Sequence, residues 1–281
     1  MVYKPTESEV IGAGPKPLTL SALRKMKKEG EKIASLTAYD ATFAQLVDEA
    51  GVELVLVGDS LGMVVQGQSS TVSVTLDHMV YHTKLVARGL RRAFLMADLP
   101  FLSFTTPEQA AESSARLIQE GNAKMVKLET TRSNVETVRF LARNGVPQCV
   151  HLGLLPQSVH KMGGYRLQGK EPDQALTLVE DARTMEGEGA DILLLEMVPA
   201  AVARKITEAV SIPVIGIGAG ACCDGQILVL QDMLGITPGK RPRFSRDFLA
   251  TSPQGGGVRH ALADFVAAVK DGSFPTPEES F

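Results

Sequence analysis

The sequence predicts an α/β protein folded as a (β/α)8 barrel. Three observations predict it: eight short apolar runs follow one another along the chain, each is continuous rather than alternating, and most are separated by segments of helical length and period. Continuous runs mark strands buried on both faces, and strands that alternate with helices require a parallel sheet. A chain of 281 residues is long for a typical domain but ordinary for a barrel built around one core. A doubly wound open sheet is the competing architecture. Against it, the only glycine-rich element at a strand run, "GIGAG", stands at the seventh, whereas a dinucleotide fingerprint normally follows the first.

Taken in order, residues 1–17 carry Gly and Pro without periodicity and are expected to form an N-terminal arm; residues 18–281 form the barrel domain with a C-terminal helical extension. "LTLSALRKMKKEGEK" is basic and amphipathic, with Leu20, Leu23 and Met26 on one helical face. The strand runs are "KIASLTAY", "VELVLVG", "RAFLMAD", "AKMVKLE", "VPQCVHLG", "ADILLLE", "IPVIGIGAG" and "QILVLQD". Helical segments between them include "DATFAQLVDEAG", "TPEQAAESSARLIQEGN", "SNVETVRFLARNG", "DQALTLVEDARTMEGEG" and "PAAVARKITEAVS". Several close on the glycine expected just past a helix end. The link "AGACCDGQ" is too short for a crossover helix, so the barrel is expected to be irregular between its seventh and eighth strands. "SRDFLA" and "GGGVRHALADFVAAVKDG" are expected as helical cover, and "SFPTPEESF" as an extended end.

Composition excludes several function classes. Hydrophobic residues make up 44% and charged residues 22%, the balance of an ordinary globular protein. A formal net charge of -3, with no Lys/Arg cluster interleaved with aromatics, argues against nucleic acid as a partner. Neither a spanning apolar stretch nor a signal-like start is present, which places the expected location in the cytoplasm, away from membrane. Cys149, Cys222 and Cys223 show no CxxC spacing and predict neither a disulfide framework nor a zinc site.

The runs share a punctuation that carries chemistry. Run two ends in Asp59 and Ser60, run three in Asp98, run four in Lys127 and Glu129, run five in His151 and run six in Glu196. In a (β/α)8 barrel all strand C-termini open onto one face, so these scattered residues converge. Asp59 alone reads equally well as a helix N-cap. Several acids and a lysine together are different, because adjacent carboxylates in a dry pocket need protons, a cation or a lysine. Asp59, Asp98 and Glu129 offer only hard oxygen, which points to Mg²⁺ or Mn²⁺ rather than Zn²⁺. Such an ion leaves coordination positions open, and a 2-oxo acid chelates through its carboxylate and oxo oxygens. Glu196 is placed to take a proton from the carbon beside the oxo group, provided that burial raises its pKa. Lys127 and Glu129, two apart in a strand, point to the same side, so Lys127 can neutralise a substrate carboxylate; a Schiff-base lysine is the competing reading. His151 is open between an orienting role and a satisfied core histidine. "GIGAG" is open between an anion cradle and close packing that needs glycine.

The stretches "LTAYDATFA", "LVGDSLGMVVQG", "MADLPF", "MVKLE", "HLGLLPQSVHKMGGYRLQGK", "LLLEMVP" and "IPVIGIGAGACCDGQILVLQDMLG" make the chain resemble the ketopantoate hydroxymethyltransferase family in order from about residue 18. The resemblance implies a TIM barrel of the phosphoenolpyruvate/pyruvate type. It also implies transfer of a hydroxymethyl group from 5,10-methylenetetrahydrofolate to 3-methyl-2-oxobutanoate, in pantothenate biosynthesis. By the same resemblance Asp59, Asp98 and Glu129 form the Mg²⁺ site, Asp59, Ser60, Asp98 and Lys127 contact the oxo acid, and Glu196 accepts the proton. A homo-oligomer, a decamer, is implied as well. Thr130 and Thr131 depart from the family, which usually carries glycines there, and are expected to narrow access beside Glu129. Two other functions compete: a lyase or mutase of the same barrel group acting on another 2-oxo acid, and a non-catalytic barrel that binds an anion. The first would call for arginines at the strand ends, where none stands; the second leaves Glu196 and Lys127 without purpose.

Overall fold

Eight parallel strands, all adjacent in chain order, close on themselves: β1 (Ile33–Thr37), β2 (Leu54–Val57), β3 (Phe94–Asp98), β4 (Met125–Glu129), β5 (Gln148–Gly153), β6 (Ile192–Glu196), β7 (Val214–Ile217) and β8 (Gly225–Leu228). The computed structural model describes residues 16–252 and 256–281, so most of the expected arm lies outside the described residues. Each apolar run contains one strand, and β1 to β4, β7 and β8 are buried at every position, as double-sided cover demands. Closure comes from β1 pairing with β8, Ile33 opposite Gly225 through Leu36 opposite Leu228. Gly225 is required at this seam, because a Cβ there would sit 2.4 Å from the Ile33 carbonyl oxygen.

Crossover helices follow β1 (Ala41–Glu49), β2 (Leu76–Gly89), β3 (Pro107–Gln119), β4 (Val135–Arg143), β5 (Pro172–Gly187) and β6 (Ala200–Ala209). Their starts are written locally: Asp40 Oδ1 accepts from Phe43 N at 2.9 Å, and Thr106 Oγ1 accepts from Gln109 N behind Pro107. As the short link foretold, residues 218–224 pass from β7 to β8 in bends and turns. The run "QILVLQD" does not continue as a strand to its end. β8 stops at Leu228, Leu230 N donates to Thr37 Oγ1 at 2.9 Å, and Leu230–Met233 winds into one helical turn.

The N-terminal helix, Leu20–Glu29, covers the bottom of the barrel; Leu23 and Met26 are buried and Leu20 is half-buried. Lys27 pairs with Asp224 at 2.8 Å on that face. The C-terminal helix, Gly257–Asp271, is clamped to the same end: Lys270 Nζ reaches buried Glu53 at 2.8 Å and donates to the Lys32 carbonyl at 2.6 Å. The end of the chain corrects the expectation of an extended tail. Thr276 and Glu279 cap each other around a turn at Pro277–Glu279, Arg246 pairs with Glu279 at 2.7 Å, and Ala200 N donates to the Phe281 carbonyl. These contacts fold the last residues over the opposite, C-terminal mouth. No helix among the described residues is long and apolar enough to cross a membrane. All three cysteines are free thiols.

Candidate active site

A cavity of about 480 Å³ opens at the C-terminal ends of the strands. Asp59, Ser60, Asp98, Lys127, Glu129 and Glu196, predicted from strand-end punctuation, all line it, and His151 lines it too. Asp59 is no helix cap: its carboxylate is buried, and its own backbone N–H donates to Asp98 Oδ2 at 3.0 Å. Ser60 Oγ lies 2.9 Å from the Tyr39 hydroxyl, which anchors the turn after β2. Lys127 Nζ sits 3.0 Å from Asp98 Oδ1 and 3.2 Å from His151 Nδ1. His151 occupies the middle of the cluster, its Nδ1 3.7 Å from Glu129 Oε1 and its Nε2 3.4 Å from Glu196 Oε2.

Burial dominates the electrostatics. It pushes the Asp59 carboxyl up to about 7, with neighbouring Asp98 adding repulsion. Asp98 is raised by burial against the opposing pull of Lys127, and Glu129 is raised well above the carboxylate range for the same first reason. Burial also works against charge on Lys127, but Asp98, Glu129 and Asp59 outweigh it and hold the ammonium protonated. Burial and Lys127 together keep His151 neutral, well below its usual range. Glu196, its side chain 16% exposed, is lifted by burial to about 8. Three acids around one ammonium leave an excess of negative charge that a cation would relieve.

The donor set fits a hard divalent ion. It is all oxygen, and buried Asp98 Oδ1 receives no well-directed hydrogen bond despite its closeness to Lys127. Among the described residues no three His, Cys, Asp or Glu side chains form a ready-made cage, so the protein offers a partial shell centred on Asp59 and Asp98. Glu129 is turned toward its neighbours, Oε2 accepting from Gln157 N at 2.9 Å.

Gln157 was not foreseen as a site residue. It stands on the loop after β5, and its amide donates to Asp59 Oδ2 at 2.8 Å and to the Leu99 carbonyl at 2.9 Å. One buried residue thus fixes two strand-end acids and the turn after β3, Glu129 through its backbone N–H and Asp59 and Leu99 through its side chain. Its only sequence signal was its place in "HLGLLPQSVHK". Asp232, Lys240, Arg243, Phe244 and Phe281 also line the cavity and come from beyond β8, where no periodicity pointed to a site. "GIGAG" resolves toward packing: a Cβ on Gly218, whose φ is +61°, would meet the Phe244 and Phe281 rings at 3.0–3.2 Å, and one on Gly220 would meet Ala200 at 2.7 Å. Thr131 adopts extended backbone, φ -134°, which suits a β-branched residue. Thr130 and Thr131 line a separate recess of about 770 Å³ on the far side of Glu129.

Comparison with known proteins agrees with this geometry. The profile of the family described as ketopantoate hydroxymethyltransferase matches residues 17–277. The chain belongs to that family. The 3-methyl-2-oxobutanoate hydroxymethyltransferase of Nitrosococcus oceani is 56% identical over 94% of this chain and 99% of its own, and that of Methylococcus capsulatus 57% identical over 94% and 97%. Among solved structures, phosphonopyruvate hydrolase in complex with oxalate and Mg²⁺ superposes with a TM-score of 0.58 at 13% identity, covering 92% of each chain. Phosphoenolpyruvate phosphomutase of Streptomyces platensis subsp. rosaceus gives 0.59 at 10% identity over 77% of this chain and 82% of its own. At those identities the likeness shows that the family shares a (β/α)8 fold with these barrels.

Proposed function

We propose that the protein transfers a hydroxymethyl group from 5,10-methylenetetrahydrofolate to 3-methyl-2-oxobutanoate, forming 2-dehydropantoate for pantothenate biosynthesis. The observation that carries this reading is the convergence of Asp59, Asp98, Lys127 and Glu196 on one cavity in a chain of this family. The oxo acid loses one proton from C3, a carbon–carbon bond forms to the donor's methylene carbon, water supplies the hydroxyl group, and tetrahydrofolate leaves.

Glu196 takes the C3 proton. A carboxylate lifted toward the working pH is a stronger base than a solvated one, and its place at the end of β6 faces it into the cavity. His151 beside it is held neutral, so it brings no positive charge that would draw the Glu196 carboxyl back down. Lys127, held protonated, attracts the substrate carboxylate, and Ser60, fixed by Tyr39, offers it a hydrogen bond. A Mg²⁺-type ion held by Asp59 and Asp98, with Glu129 alongside, would polarise the oxo group as a Lewis acid. Gln157 keeps those carboxylates aimed.

The test is direct: purified protein, both substrates and Mg²⁺ should yield 2-dehydropantoate, and a chelator should abolish turnover. Formation of product at an undiminished rate after exhaustive metal removal would overturn the role given to Asp59 and Asp98.

A further inference from the structure

The cavity has two halves of different chemistry. The half at the ends of β2 to β6 holds the acids and Lys127; the half at β7, β8 and the segment beyond is walled by Ile217, Ile227, Val229 and the rings of Phe244 and Phe281. One acid stands in that apolar half. Asp232 is 8% exposed and held by the Thr237 hydroxyl, which donates to its Oδ1 at 2.6 Å, and the proton transfer at Glu196 makes no use of it. At the rim, Lys240 and Arg243 are exposed, and the Arg243 guanidinium lies 5.3 Å over the Phe281 ring. Nearby Arg241 and Arg246 are paired with Asp247 and Glu279, whereas Lys240 and Arg243 have no carboxylate within pairing distance among the described residues.

We propose that this half is the subsite for the reduced-pteridine donor: Asp232 accepts the paired N–H groups of its aminopyrimidine edge, Phe244 and Phe281 pack against its rings, and Lys240 and Arg243 meet its glutamyl carboxylates. The assignment rests on the reading that a tetrahydrofolate derivative donates the carbon. Its chemistry is complementary piece by piece. The ring's 2-amino group and N3–H donate in parallel, which suits the two oxygens of one carboxylate. Flat aromatic surface favours the two phenylalanines. A tail of carboxylates favours unpaired cations at a solvent-facing rim. The cavity volume, about 480 Å³, lies in the range that buries large organic ligands and exceeds what a five-carbon oxo acid fills. The recess beside Thr130 and Thr131 is larger, but no aromatic side chain lines it.

Binding and kinetics of the Mg²⁺-loaded enzyme test the assignment. Asp232→Asn replaces an acceptor by an N–H donor facing the ring edge. The Kd for tetrahydrofolate and the KM for methylenetetrahydrofolate should rise about 10- to 100-fold. That rise should exceed any change in the KM for the oxo acid by at least tenfold. Lys240→Ala/Arg243→Ala, at exposed positions that do not threaten folding, should raise the KM of the triglutamyl donor several-fold more than that of a donor lacking the glutamyl tail. Tetrahydrofolate binding within twofold of wild type in both variants, with wild-type turnover intact, would overturn the subsite and leave the transferase reading standing. Failure of the wild-type protein to bind tetrahydrofolate or to use methylenetetrahydrofolate would overturn that reading itself, and the subsite with it.

Discussion

Replacing Glu196 by Gln removes the proposed base while keeping size and shape. The two stages of the reaction can be separated, because loss of the C3 proton of 3-methyl-2-oxobutanoate is read by its exchange with deuterated water, without any folate. A positioned general base contributes about 10²- to 10⁴-fold, so exchange should fall by that factor in Glu196→Gln while oxo-acid binding persists. The wild-type pH profile carries a second signature. With its carboxyl lifted to about 8, Glu196 is mostly protonated at pH 6, and the rate should climb about tenfold per pH unit until the group ionises. Bound cation and oxo acid bring net positive charge, which moves the inflection downward from 8 but keeps the sign of the slope. His151 is the rival base, 3.4 Å away and neutral. Because its ionisation lies well below the usual histidine range, it would give a flat profile across the same interval. Proton NMR of the C3 signal in deuterated buffer measures both quantities. Exchange at an unchanged rate in Glu196→Gln, or a flat wild-type profile between pH 6 and 8, would refute the assignment.

Further expectations follow from the same geometry. Asp59 ionises near 7 in the folded protein against an ordinary 3.8, so the stability its protonated form confers is present at low pH and is lost as pH rises toward 7. Mg²⁺ or Mn²⁺ should therefore raise the Tm more at pH 8 than at pH 5.5, and Asp59→Asn or Asp98→Asn should erase the shift; equal shifts at both pH values in calorimetry would contradict this. Gln157→Ala strands the buried Asp59 carboxylate and the Leu99 carbonyl and should cost about 1–3 kcal/mol, roughly 2–10 °C in Tm, together with a higher KM for the oxo acid. Gly225→Ala forces a methyl group against the Ile33 carbonyl at the closing seam and should lower the Tm without altering the substrate KM of the protein that still folds, as thermal melts and kinetics would show.

The barrel was legible because buried parallel strands leave a signature that each run carries by itself. The strand-end acids were legible because every strand of such a barrel delivers its last residue to one face; knowing the periodicity sufficed to bring Asp59 to Asp98 and Glu196. What escaped depends on contacts that no local pattern encodes. Gln157 sits on a loop, and nothing in "LLPQS" shows that its amide reaches Asp59, 98 positions earlier. Asp232 read as the end of a strand, yet the bond from Leu230 N to Thr37 turns the chain before it arrives. The tail read as extended because its fold-back relies on Arg246, Ala200 and the space left by Gly218, all remote in sequence. The glycines of "GIGAG" were visible, but their purpose was the arrival of those distant rings.

The seam between β1 and β8 has a consequence for biogenesis. Lys270 meets the carbonyl of Lys32 across 238 positions, so at ribosomal speeds of about 5–20 residues per second the opening strand waits roughly ten to fifty seconds for the segment that locks it. Until β8 emerges, β1 is an unpaired edge of the kind that sticks to other chains. Expression yield should accordingly respond to translation rate and to chaperone supply more than to the stability of the finished molecule.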